Sequence, residues 1–201
     1  MNPWTYVAQF ESLIAEYFGS PYAVAVDSCT HALELCYRQQ NLKQATCPTH
    51  TYLSVPFTFI KLGMSWEFVE TQWHEYYRIG DSNIYDAAVL WRPNSYIPET
   101  MMCISFQHRK HLSLGRGGII LLDDETAYIE LKKLRHDGRN QEQPWTEQNV
   151  STIGYHYYMT PETAQLGIKL FEEAKSKQAE MWGHEKYPYL PNMEVFNAGK
   201  K

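Results

Sequence analysis

Apolar residues along the chain switch between two spacings, and the switches mark out alternating helices and strands. After Asn2-Pro3, Val7, Phe10, Leu13, Ile14, Tyr17 and Phe18 recur at helical intervals, which predicts an amphipathic helix stopped by Gly19. Residues 22–26 form a short apolar strand, and Ser28-Cys29-Thr30 then opens a second helix with Leu33, Leu35 and Cys36 on its buried side. A strand around 45–47 leads through Pro48-Thr49-His50-Thr51 to a helix over about 52–62, started late or interrupted by Pro56. Residues 66–69 and 83–86 read as strands, and two further runs, 101–106 and 119–122, are apolar enough to be buried strands. Asp123-Asp124 caps a helix through Leu134, and the polar stretch 135–151 is expected as an exposed loop. Thr160-Pro161 starts a last helix with a capping hydroxyl and a proline in its first turn, predicted to reach Trp182.

The loop between the two buried strands, SFQHRKHLSLGRGG over 105–118, places Lys110 at a strand end. Open α/β sheets bind ligands there because loops can converge on a crevice without disturbing the core, so Lys110 is the leading candidate for chemistry. The Gly115-Arg116-Gly117-Gly118 stretch lacks the Gly-Lys-Ser/Thr of a phosphate-cradling loop and is expected to turn the backbone. A lysine becomes nucleophilic when desolvation or neighbouring cations lower its pKa, and His108, Arg109, His111 and Arg116 supply cations. Taken alone, a lysine in such a basic cluster is far more often a solvated surface residue or a phosphate contact than a nucleophile. A strand followed by Ser28-Cys29-Thr30 and a helix attracts an anion through free N–H groups, the helix dipole and the Ser28 and Thr30 hydroxyls, although ordinary capping by Ser28 explains the same residues. Asp86 falls at another strand end, where a carboxylate can face a ligand or merely cap a turn. His108 and His111 have no Cys or carboxylate close in sequence, and no metal site is predicted.

Ser105-Phe106-x-x-x-Lys110 followed by Gly-x-Gly-Gly and an apolar strand resembles the lysine segment of the DegT/StrS-type sugar aminotransferases, pyridoxal-phosphate (PLP) enzymes of fold type I. The likeness recurs in order. Tyr22-Ala-Val-Ala-Val-Asp-Ser-Cys-Thr-His-Ala-Leu33 resembles that family's phosphate loop, Pro48-Thr-His-Thr-Tyr52 its P-x-x-T-aromatic segment, and Tyr85-Asp-Ala-Ala88 its E-D-A-A. Downstream, Gly154-Tyr-His-Tyr-Tyr-Met-Thr-Pro-Glu-Thr-Ala-Gln-Leu-Gly167 resembles its G-Y-N-Y-R segment, so the likeness runs from about 10 to 174.

The resemblance implies an α/β fold, the large domain of a fold-type I PLP-dependent transferase, with a mixed, mainly parallel sheet flanked by helices and reduced in size. Residues 1–185 would be a trimmed PLP-binding domain and 186–201 a tail, including Pro188, Pro191 and Gly199. The trimming is expected between Val69 and Asp86 and in the family's small C-terminal domain. The implied roles are a Schiff base and proton shuttle for Lys110, a charge under the pyridine nitrogen for Asp86, and ring stacking for Tyr52. Ser28, Cys29, Thr30 and Ser105 would surround the cofactor phosphate, and His156 would reach the phosphate of a partner subunit in a homodimer. The implied partners are an amino donor and a keto sugar acceptor, the latter nucleotide-linked. Four positions depart from the family pattern: Cys29 for glycine, Val89 for glutamine, His156 for asparagine, and Tyr158 for the arginine associated with the donor carboxylate, a task left to Arg109 or Arg92. A PLP enzyme of another type, decarboxylase, eliminase or racemase, and a non-catalytic binding or assembly protein remain as alternatives.

The 201 residues, 44% of them hydrophobic, suffice for one sizeable core. A net charge of −5 argues against general binding to nucleic acid or an anionic membrane, and no apolar stretch has the length of a membrane span. Cys29, Cys36, Cys47 and Cys103 contain no C-x-x-C pair and no signal-like segment opens the chain, so free thiols in a cytoplasmic protein are expected.

Overall fold

The computed structural model describes residues 2–141 and 143–197; Gly199 of the expected tail lies outside them. Helix α1 (Trp4–Phe18) ends at Gly19, whose φ of 76° is the left-handed conformation that glycine adopts without Cβ strain. Strand β1 (Tyr22–Val26) and helix α2 (Cys29–Gln39) follow, then β2 (Gln44–Pro48), α3 (Ser54–Lys61) and β3 (Ser65–Val69). Two short strands, β4 (Tyr77–Arg78) and β5 (Ile84–Asp86), precede β6 (Met101–Ser105) and β7 (Gly118–Leu122), and helices α4 (Glu125–Leu134) and α5 (Pro161–Ser176) complete the frame.

The main sheet has the order β1-β7-β6-β5-β4, with β2 and β3 paired separately as a parallel ribbon. Period-two alternation splits its side chains between two cores. Val24, Val26, Met101, Cys103, Ile120 and Leu122 pack on one face with α2, α3 and α4, whereas Ala23, Ala25, Met102, Ile104, Ile119 and Leu121 pack on the other with α1 and α5. The result is a sheet between two helical layers. Helices α1 and α5 approach closely because Gly167 has no side chain: a Cβ there would stand 2.4 Å from the Phe10 ring.

The expected mixed sheet flanked by helices is present, but parallel pairs are not in the majority within it. Only β5–β6 is parallel, and β1–β7, β6–β7 and β4–β5 are antiparallel. The cause is local. Residues 106–117 return the chain directly from β6 into β7, and one reversed strand lying between two neighbours makes two antiparallel pairings. Strands β1, β5 and β6 still point the same way, so their carboxyl ends share one edge.

Three local expectations change. Strand β4 lies inside 70–82, a stretch whose pattern showed no strand. Helix α5 stops at Ser176, six residues short of Trp182, where His111 Nε2 donates to the Ala174 carbonyl (2.7 Å), an acceptor that a continuing helix would use itself. The polar segment starting at 135 is not exposed at its beginning. Arg135 is fully buried, its guanidinium on Glu11 and on the Ala25 carbonyl, and His136 is buried beside it. Among the described residues no helix is long and apolar enough to cross a membrane.

Candidate active site

The carboxyl ends of β1, β5 and β6 open into a cavity of about 730 Å³, within the usual size range of small-ligand sites. Seven of the eight residues to which the resemblance gives a cofactor role line it: Ser28, Cys29, Thr30, Tyr52, Asp86, Ser105 and Lys110. The eighth, His156, does not. It is exposed and hydrogen-bonded to Asp137 (3.0 Å) and to the Tyr158 hydroxyl (3.0 Å).

The chain leaves β1 through Asp27 and Ser28 and enters α2 directly. Ser28 caps that helix, its Oγ accepting from the His31 N–H (3.2 Å), and the first-turn N–H groups of Cys29 and Thr30 have no carbonyl inside the helix to bond. Gly118 of β7 makes this entry possible, because a Cβ there would lie 2.5 Å from the backbone of Ser28 and Cys29. The helix start therefore rests on the sheet, with its positive dipole end facing the cavity. Cys29, which stands where the family pattern has glycine, turns its thiol to the Cys103 carbonyl (3.5 Å). Burial pushes that thiol's pKa well up, so it stays neutral. The Thr30 hydroxyl is spent on Ser54 (2.8 Å), which ties α2 to α3.

Asp86 is the last residue of β5 and is 6% exposed. Its Oδ2 accepts from the Tyr77 hydroxyl at 2.6 Å and its Oδ1 from the Ala88 N–H at 3.0 Å. Burial raises its pKa, while the bonds from Tyr77 and Ala88 and the Lys110 charge pull it back. Tyr77 also bonds to Thr51, next to Tyr52, so one phenol joins the carboxylate to the loop before α3.

Lys110 sits in the return between β6 and β7, which is closed by Phe106 N–H to Gly117 O (2.9 Å) and Leu114 N–H to Phe106 O (2.9 Å). The loop is thus clamped by the two most buried strands, and the lysine is half-buried. Burial lowers its pKa, opposed by Asp86 and Cys29 and assisted by Arg109. Of the cations named in the sequence, Arg116 is instead paired with Asp27 (2.7 Å), and His111 holds the end of α5. Desolvation is the larger activating influence. Ser105, at the end of β6, is 8% exposed, and Tyr52 is 61% exposed at the cavity margin.

Tyr77, Trp182 and Tyr187 also line the cavity, and the sequence pattern did not point to them. Tyr77 belongs to a two-residue strand, too short for periodicity to reveal. The others flank a single 3-10 turn (His184–Lys186), again too short for periodicity, where only the density of aromatic residues between Trp182 and Tyr189 offered a signal. Among the described residues no group of three or more His, Cys, Asp or Glu side chains converges to hold a metal.

The model of the DegT/DnrJ/EryC1/StrS aminotransferase family matches residues 2–87 and 98–182. The chain belongs to that family. Solved structures agree in fold. The chain resembles AtS13 from Actinomadura melliaura at 20% identity and a TM-score of 0.76, over 86% of this chain and 61% of that one. It also resembles the sugar aminotransferase CalS13 from Micromonospora echinospora (14% identity, TM-score 0.69, 85% and 61% covered). A third is PseC of Helicobacter pylori, an aminotransferase of pseudoaminic acid biosynthesis (14%, 0.68, 85% and 58%). No curated protein matches the chain by sequence. This DegT-family chain spans 57–61% of the length of the first solved relatives, and residues 88–97 and those after 182 lie outside the family match.

Proposed function

We propose that this DegT-family chain binds pyridoxal 5'-phosphate at Lys110 and acts as an aminotransferase toward a nucleotide-linked keto sugar. The observation that carries the reading is the meeting, in one cavity, of a half-buried lysine with lowered pKa, a buried aspartate and a helix N-terminus. Those three features fit the three chemically distinct parts of the cofactor: its aldehyde, its ring nitrogen and its phosphate. When bound, the cofactor would act as an electron sink for the substrate carbon.

The chain's own groups have separable tasks. Lys110, whose amine is more readily neutral than an exposed lysine's, would hold the aldehyde and later carry a proton on Nζ. Asp86, kept oriented by Tyr77 and Ala88, would hold a proton on the ring nitrogen. The first turn of α2, with the Ser28 and Ser105 hydroxyls, would take the phosphate. The donor carboxylate falls to Arg109 rather than Arg92, because Arg92 is committed to Glu75 (2.8 Å) whereas Arg109 lies on the cavity wall. His156, outside the cavity of its own chain, is assigned to the phosphate of a partner subunit in a homodimer.

The test is spectroscopic. Protein mixed with PLP should develop an absorbance band that borohydride fixes as a covalent adduct on the peptide containing Lys110, and Lys110→Ala should yield none. Adding glutamate or glutamine should convert the band to that of the pyridoxamine form. A trapped adduct with no response to any amino donor would refute transamination, and absence of the adduct would refute the cofactor assignment.

A further inference from the structure

The wall facing Lys110 is built where the family match runs out. Trp182 is the last matched residue, and Lys186, Tyr187, Pro188 and Leu190, which follow the match, line the cavity with it. This segment crosses the opening as a strap, stitched down on both sides by backbone groups. The Glu75 N–H donates to the Trp182 carbonyl (2.8 Å), the His184 N–H to the Trp73 carbonyl (3.0 Å), and the Leu190 N–H to the Thr49 carbonyl (2.9 Å). His50 Nδ1 donates to the Tyr187 carbonyl (2.8 Å), and Leu190 is fully buried. A segment fixed at these points is part of the site's architecture.

Its chemistry differs from that of the cavity floor. The floor carries Asp86, Ser28, Thr30 and Ser105, whereas the strap presents Trp182 and Tyr187 as flat apolar faces. The Lys110 ammonium lies 5.0 Å from the centroid of the Trp182 ring, so a molecule reacting at that amine has the indole beside it. Arg109 stands at the same side of the cavity, with no acceptor for its guanidinium among the described residues. An aromatic face with hydrogen-bonding groups around it suits a ring that is apolar on its C–H face and polar at its edge, which describes a pyranose.

We propose that Trp182 and the strap after it, residues 183–190, form the wall against which the acceptor's sugar ring packs, with Trp182 as the residue that selects a ring over an open-chain keto compound. This rests on the aminotransferase reading above and specifies its acceptor side.

Isothermal titration of the PLP-loaded protein with UDP-glucose, TDP-glucose and GDP-mannose tests it, alongside borohydride trapping at Lys110. Trp182→Ala should weaken binding of the sugar nucleotide by about tenfold or more, and Trp182→Phe, which restores a flat face, should stay within about threefold of the parent protein. Both variants should trap PLP as the parent does. Unchanged or tighter binding by Trp182→Ala would overturn the proposal, since the strap would then be a spectator or a plug. Loss of PLP trapping in Trp182→Ala would also overturn it, by assigning the indole to the cofactor. If the parent traps PLP but binds none of the three probes, the acceptor wall is refuted while the cofactor site stands. If the parent traps no PLP, the function reading falls and this inference falls with it.

Discussion

Tyr77→Phe removes one hydroxyl from the cavity floor and leaves the ring in place. The hydroxyl lies 2.6 Å from Asp86 Oδ2, a length typical of a bond to an ionised oxygen, and both residues are 6% exposed, so neither screening nor replacement by water offsets its loss. A hydrogen bond to a charged group contributes roughly 1.5–3 kcal/mol and one to a neutral group about 1 kcal/mol. Burial raises the Asp86 pKa in the folded protein and the Tyr77 bond lowers it, so the variant pushes that pKa further up. An acid whose folded pKa is raised loses fold stability as pH climbs from its unfolded value through its folded one. The variant enlarges that loss. Its destabilisation is therefore greatest above the folded pKa, at roughly 2–3 kcal/mol, and shrinks toward about 1 kcal/mol in acid, where Asp86 is protonated in both states. Urea unfolding of both proteins across a series of pH values measures this. A difference that is the same at every pH, or below about 0.5 kcal/mol throughout, would show that the phenol only packs and has no hold on the carboxylate charge.

Other perturbations have signs fixed by the same geometry. Lys110→Leu removes a cation that burial disfavours; because the folded pKa lies below the unfolded one, the cofactor-free variant should be more stable than the parent at neutral pH, with the gain vanishing as pH rises past the unfolded lysine value, as pH-dependent thermal unfolding would show. Gly118→Ala drives a Cβ into the backbone of Ser28 and Cys29, so it should cost about 1–3 kcal/mol in urea unfolding and weaken PLP binding in absorbance titrations, whereas alanine at Gly63, which meets nothing within 4 Å, should not affect PLP binding. Asp124→Ala removes the cap that accepts from the Thr126 and Ala127 N–H groups and should cost about 1 kcal/mol with no effect on PLP affinity. Leu190→Ala opens a void under the strap and should cost about 2–5 kcal/mol by the same unfolding assay.

Much of the frame was legible because its elements are amphipathic and long enough to repeat. Helix α1, strands β1, β6 and β7 and the capped start of α4 fall where spacing and capping residues place them. The central lysine and aspartate were legible for a related reason: Asp86 ends strand β5, and Lys110 lies in the loop that leaves the buried strand β6. What escaped depends on distant partners. Tyr77 acquires its role only because β5 runs beside it, and no local pattern encodes that pairing. Helix α5 ends where a histidine from the lysine loop claims a carbonyl, a contact across 63 residues. Arg135 opens a polar stretch, and nothing near it announces that Glu11 waits 124 residues upstream.

That buried pair does more than neutralise itself. Strand β1 is an outer strand of the sheet, and the two backbone groups of Ala25 that face away from β7 are taken by Glu11 and Arg135, with Asp27 N–H held by the Tyr157 carbonyl (2.8 Å). A sheet border finished with side chains offers no row of open amides to another molecule. Cutting back either charged residue would leave its partner stranded without a counter-ion and uncover that border, so damage there should appear first as self-association of the protein.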